Sequence, residues 1–262
     1  MYKPSSLITF GGHVSYPKMI GMNPNKNTNG VFMNDWSQFP KLYSLFKDSE
    51  TESEFNYFSV ILQRRVLSTS LAQESYLQLE DELSVLSEAA WIQFRQKILP
   101  YISKKDPLRH YEQLFNHFNE VKGYVFLSSL GYKRIEFIEE HNSFRTPDLI
   151  AKDLNNTALM EVKTINNSNK GLVRIRERAA GNVLGFVPDP LFRKIEKTVR
   201  NASEQLLSYS NDGTPINRRI IYLCLKPDVD VLLDNRNIDT LRNFCQNVSD
   251  ENIEVVSDIS FF

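Results

Sequence analysis

Three charged side chains in the stretch TPDLIAKDLNNTALMEVKT, residues 146–164, have the types and spacing to do chemistry. Asp148 follows a proline, and Glu161 and Lys163 flank a single valine. Between them KDLNNT carries Asn155 and Asn156, which tolerate the backbone conformations of a tight turn. Two strands, PDLIA and ALMEVKTI, are therefore predicted to fold back on each other as a hairpin. Strand side chains alternate between faces, so Glu161 and Lys163 share one face while Met160, Val162 and Thr164 take the other. A turn centred on Leu154–Asn155 sets Asp148 opposite Glu161, and one centred on Asn155–Asn156 sets it opposite Lys163. Either register delivers Asp148 to the same small region, because cross-strand partners lie about 5 Å apart.

Two carboxylates that close repel each other unless a cation lies between them. A divalent ion that favours oxygen ligands meets that need, which points to Mg²⁺, with Mn²⁺ as its substitute. A lysine beside the ion would stabilise negative charge developing on a phosphate, or orient and activate the attacking water. An acid pair, an amine and a metal together suit hydrolysis of a phosphodiester. On a solvated sheet face the same charges would be only a salt-bridge cluster. The catalytic reading therefore requires Asp148 to share the face of Glu161 and Lys163.

The elements that must position this hairpin are legible around it. Residues 1–48 are rich in Asn, Pro and Gly and read as irregular, with at most a short strand. A helix is predicted from SETESEF, where Thr51 and Glu54 have capping-box spacing, and a second, long helix from Leu71 to Leu99, ended by Pro100. A third helix opens at Asp106-Pro107 and runs to Leu130, with Gly131 as its stop. KRIEFIEE reads as a strand, the hairpin follows, and a helix spans Pro190 to Tyr209. RRIIYLCL is a further strand, and the tail holds a short helix near Asp239–Cys245 and a strand at IEVV. From residue 106 the order is helix, three strands, helix, strand.

With this order, Pro147-Asp148 and Glu161-Val162-Lys163 resemble the signature of the PD-(D/E)xK nuclease superfamily. The resemblance covers residues 106 to 226, a little under half the chain. It implies an α/β fold with a restriction-endonuclease-like core, a mixed sheet flanked by helices, in residues 106–262. Residues 1–105 would form a mainly helical accessory region for specificity, dimerisation or partner binding. It also implies a metal set of Asp148 and Glu161, with the Val162 backbone carbonyl as a further ligand. Many members place an acid on the first core helix. Glu120, eleven residues before Gly131 on the margin of the apolar face, fits that place, with Glu112 a weaker alternative. Gln205 and Tyr209, one turn apart, resemble the Q-x-x-x-Y motif of the RecB-like branch, whose Gln and Tyr support the site and the nucleic acid strand.

Basic residues cluster beside these positions. Arg174, Arg176 and Arg178 alternate just after the lysine strand, and Lys194, Lys197 and Arg200 follow on the next helix. All six would contact phosphates, with DNA the expected nucleic acid. Net charge supports a divided chain: residues 48–88 hold nine acids and two arginines, whereas residues 163–226 hold twelve Lys/Arg and five acids. The overall −1 thus excludes a uniformly basic, DNA-coating protein but not a local basic surface. No apolar run reaches membrane-spanning length, the N-terminus lacks a signal-peptide pattern, and Cys224 and Cys245 have no metal-like spacing, which points to the cytoplasm. His110 and His117 read as ordinary helix residues, and no P-loop, G-x-S-x-G or dinucleotide fingerprint is present. Two competing readings keep the charges without the chemistry: a catalytically inactive nucleic-acid-binding or assembly module of the same fold, and a purely structural interaction protein.

Overall fold

A computed structural model describes residues 36–49, 56–58, 70–107, 109–139, 145–154, 156–166, 187–209, 215–226, 235–248 and 252–259. Residues 36–262 cluster as one compact unit. Its described elements are a 3-10 turn, six α-helices and five strands. In chain order they are α1 (Pro40–Asp48), α2 (Ser70–Ser84), α3 (Glu88–Ile102), α4 (Glu112–Ser129), β1 (Arg134–Phe137), β2 (Leu149–Lys152), β3 (Thr157–Ile165), α5 (Asp189–Ser208), β4 (Arg218–Leu225), α6 (Asn235–Asn247) and β5 (Glu254–Ile259).

The sheet runs β1-β2-β3-β4-β5, antiparallel through β3 and parallel from β3 to β5. Its two faces support separate cores. Met160, Val162, Ile220 and Tyr222 pack with α4 and with α1 and α3 beyond it. Leu159, Ile165, Ile221 and Leu223 pack with α5 and α6. The protein is thus α/β, with helices on both faces of a mixed sheet. Apolar packing runs across residue 105, since Trp91 and Phe94 of α3 join Phe118 of α4 and Phe137 of β1 in one cluster.

Several local expectations are corrected. The residues before 49 are not irregular throughout, because α1 starts at Pro40. Phe39 offers no side-chain cap; instead the buried Glu80 carboxylate accepts from Lys41 N (2.7 Å) and Leu42 N (3.0 Å). The long helix from Leu71 is two helices, because Ser87 starts α3 anew by accepting from Ala90 N at 3.2 Å. Pro100 lies inside α3 rather than ending it, and leaves the Gln96 carbonyl without its i→i−4 donor in the last turn. Asp106 does not cap α4: its carboxylate accepts from Arg109 N in a preceding turn, and the helix begins at Glu112. Gly131 does stop α4, at φ 94°, a conformation suited to glycine. Of the helix expected from Thr51, the described residues include only Asn56, Tyr57 and Phe58.

Gly123 lets α4 approach the hairpin. A Cβ there would lie 2.8 Å from Val162 Cγ2, 2.9 Å from Met160 Sδ and 3.2 Å from Leu149 Cδ1. Overpacking costs about 1–3 kcal/mol, while alanine regains about 1 kcal/mol of helix propensity. Gly123→Ala is therefore expected to lower stability by up to about 2 kcal/mol in urea unfolding. Because Val162 sits between Glu161 and Lys163, the same change would displace both charges.

Candidate active site

Strands β2 and β3 pair with Leu149 opposite Met160, the register of a turn centred on residues 154–155. One step beyond that pair sets Asp148 against Glu161, on the face that Ile150 and Leu159 give to the second core. One more backbone bond and one side-chain bond hold Asp148 there. Asp148 N donates to Met160 O at 3.1 Å, and Val162 N donates to Asp148 Oδ2 at 2.7 Å. The aspartate is thereby tied to the backbone between Glu161 and Lys163.

Glu161 is completely buried, so solvent cannot stabilise its charge. Gln205 Nε2 on α5 donates to Glu161 Oε2 at 2.9 Å and also to Thr146 O, joining helix, strand and the segment before β2. Glu161 Oε1 meets the Lys163 ammonium as a close ion pair, its one partner among the described residues. Lys163 keeps about a third of its side chain exposed, at 35%. Burial raises the Glu161 carboxyl and Lys163 partly offsets the rise, while Glu120 adds to it. Asp148 retains partial solvent contact, yet the protein packed around it, followed by the Glu161 and Glu120 charges, lifts its carboxyl well above the usual range. Burial would lower the Lys163 ammonium, but Glu161 and Asp148 outweigh it and raise the group. The site therefore concentrates negative charge around one lysine, and Glu161 Oε1 is an acceptor with room in its bonding. Both features fit a divalent cation held by Asp148 and Glu161.

Glu120 is near enough to influence both carboxylates, but its own oxygens are engaged elsewhere. Lys97 Nζ of α3 donates to Glu120 Oε2 at 2.8 Å, and His117 Nδ1 lies 2.9 Å from Oε1. Among the described residues, no group of three His, Cys, Asp or Glu side chains is gathered to hold a metal. The structure thus shows a carboxylate pair with Glu120 set beside it. His117 lies on α4 as expected, and its i,i+3 spacing from Glu120 was a visible signal of their contact, whereas His110 falls before the helix at φ 54°. Lys97 gave none.

Burial would raise the Glu120 carboxyl, but its bond to His117 and the charge of Lys97 prevail and hold it low. A carboxylate with a depressed folded pKa stabilises the protein above the usual glutamate range, and that contribution is lost as pH falls through the folded value. The ammonium and carboxylate side chains are only 18% and 9% exposed, so removing the cation strands a buried charge. Lys97→Met is expected to cost about 3 kcal/mol near neutrality, read by urea unfolding. The loss should shrink at acid pH.

The expected phosphate contacts are dispersed. Arg174, Arg176 and Arg178 lie outside the described residues. Lys197 and Arg200 are exposed on α5. Lys194 Nζ donates to Asn166 O, just past the end of β3. Tyr209, at the C-terminus of α5, packs partly buried against the second core. Among the described residues no helix is long and apolar enough to cross a membrane. The chain matches no protein-family model, and no match was found among curated proteins or solved structures.

Proposed function

We propose that the protein is a divalent-metal-dependent nuclease that hydrolyses phosphodiester bonds in DNA, built on a restriction-endonuclease-like core. The observation that carries this reading is the convergence of Asp148, buried Glu161 and Lys163 at the end of one hairpin. The helix, antiparallel hairpin and parallel-strand order around it supports the proposed core.

Asp148 and Glu161 would hold the ion, which when bound supplies Lewis acidity and a more acidic water. Val162 N–H orients Asp148 by binding Oδ2, which leaves Oδ1 outside that bond. Gln205 grips Glu161 Oε2, so the side chain presents Oε1 toward Lys163. Lys163 offers a positive charge to a phosphate oxygen or a donor to the attacking water. Glu120 deepens the negative potential while Lys97 and His117 hold it in place.

The test is nicking of supercoiled plasmid in Mg²⁺ or Mn²⁺, with Glu161→Gln protein purified identically alongside. Cleavage by the wild type alone is expected, and chelation should stop it. Equal cleavage by both proteins would sink the assignment. A second reading, the catalytically inactive module, is favoured by the lack of a three-residue metal cluster among the described residues. That reading predicts cleavage by neither.

A further inference from the structure

A groove of about 710 Å³ opens where the end of α3 turns into α4, lined by Lys104, Lys105, Arg109, Gln113 and Asn116 among others. We infer that this groove binds a single strand of nucleic acid and leads it to the candidate active site. The inference rests on the nuclease reading for what happens at the strand's end, but not for the binding itself.

Charge is the first argument. The acids in the wall are engaged within it: Asp106 accepts from Arg109 N at 2.6 Å, and Glu112 pairs with the Arg109 guanidinium at 2.5 Å. Lys104 and Lys105 are exposed, and Lys104 Nζ stands 4.7 Å from the centre of the Tyr101 ring. Asn166, three residues beyond Lys163, ties the groove to the catalytic strand. Its Nδ2 donates to Glu112 Oε1 at 2.8 Å, and its carbonyl accepts from Lys194. Burial and then the nearby Arg109 charge lower the Lys194 ammonium, so these two cations repel each other. Glu112 partly offsets that repulsion, and a phosphate bound beside them would relieve the rest.

Bonding capacity is the second. Asn116 Oδ1 is buried with no hydrogen-bond partner among the described residues, and Gln113 stands beside it, exposed, one helical turn earlier. A carboxamide with an unused atom suits a base edge, where donors and acceptors alternate, better than a bare phosphate. Turning the amide over would present its NH₂ instead, and a base edge accommodates either.

Direction is the third. Gln113, Asn116 and Glu120 fall along one row of α4. The seven residues from Gln113 to Glu120 span about 10 Å of helix, which carries the row from the groove wall to the carboxylate beside the site. A strand lying along that row would leave the groove with its following phosphates directed toward Asp148, Glu161 and Lys163.

Fluorescence anisotropy with a short labelled single-stranded oligodeoxynucleotide tests this, in the presence of a chelator so that no cleavage intervenes. Combined Lys104→Glu and Lys105→Glu should weaken binding at least about tenfold and flatten the salt dependence by about 1.4 in log–log slope, for two phosphate contacts. Asn116→Ala should change the preference among homopolymeric strands. Unchanged affinity and slope in the double variant would overturn the groove, as would a poly-glutamate peptide competing as well as the oligonucleotide. Plasmid nicking that depends on Glu161 while the groove variant binds normally would remove the groove alone. Groove-dependent binding without any nicking would instead remove the nuclease reading.

Discussion

Asp148→Asn is expected to melt at a higher temperature than the wild type without metal, and to lose both metal-induced stabilisation and cleavage. The reason is the cost of holding this carboxylate charged. Packing around it and the charges of Glu161 and Glu120 favour its protonated form, more than Lys163 can reverse. The folded protein therefore keeps the Asp148 proton at pH values where the unfolded chain has released it. Linkage then requires stability to fall as pH rises from the usual aspartate range through the raised folded value. Asparagine has the same shape and no such penalty, and its amide oxygen can still accept from Val162 N. The melting difference should open with rising pH across that window and close in acid. For a domain of this size each kcal/mol gained corresponds to about 2–4 °C. A gain in stability on loss of function is the usual behaviour of a charged site held ready for a ligand. Scanning calorimetry of both proteins, with and without Mn²⁺, reads all of this. Equal metal-induced stabilisation of the two proteins would mean that the ion binds elsewhere.

The hairpin and its charges were legible because they depend on short-range rules. Alternation put Glu161 and Lys163 on one face, and the register with Leu149 opposite Met160 was one of two that the turn allowed. Gly131 stopped α4 for a local reason too. Elements set by distant partners were not legible. Helix α1 has no cap of its own, because Glu80 supplies it from 38 residues away. The break before α3 turns on one serine in a sequence otherwise suited to a continuous helix. Glu120 was placed on the correct margin of its helix, but nothing local to it showed that Lys97 would come from α3 to hold it. The sequence therefore displays its carboxylates more clearly than it displays which of them stay open to a ligand.

Lys163→Met should separate binding from catalysis in the opposite sense to Asp148→Asn. Lys163 is the one cation among the described residues paired with Glu161, and it is not a metal ligand. Removing its charge leaves Asp148 and Glu161 facing each other without compensation, so Mn²⁺ should bind more tightly in calorimetric titration. Cleavage should nevertheless fall by about 10²–10³-fold, the usual loss when one preorganised donor to developing negative charge is removed. The raised folded pKa decides how the lysine acts. Glu161 and Asp148 keep the ammonium protonated beyond the ordinary lysine range, so at neutral pH it holds its proton and works as a cation and donor rather than as a base. Its stabilising contribution is present below the usual lysine pKa and disappears as pH rises through the folded value, at the alkaline limb only. Cleavage by the wild type should accordingly show no inflection near neutrality traceable to Lys163. Arginine at this position would preserve the charge, but its planar fork would meet Glu161 in a different geometry, so rescue should be partial. Lys163→Met protein that cleaves normally would remove the lysine from the mechanism. Protein that fails to bind Mn²⁺ would show that Lys163 builds the site rather than acting in it.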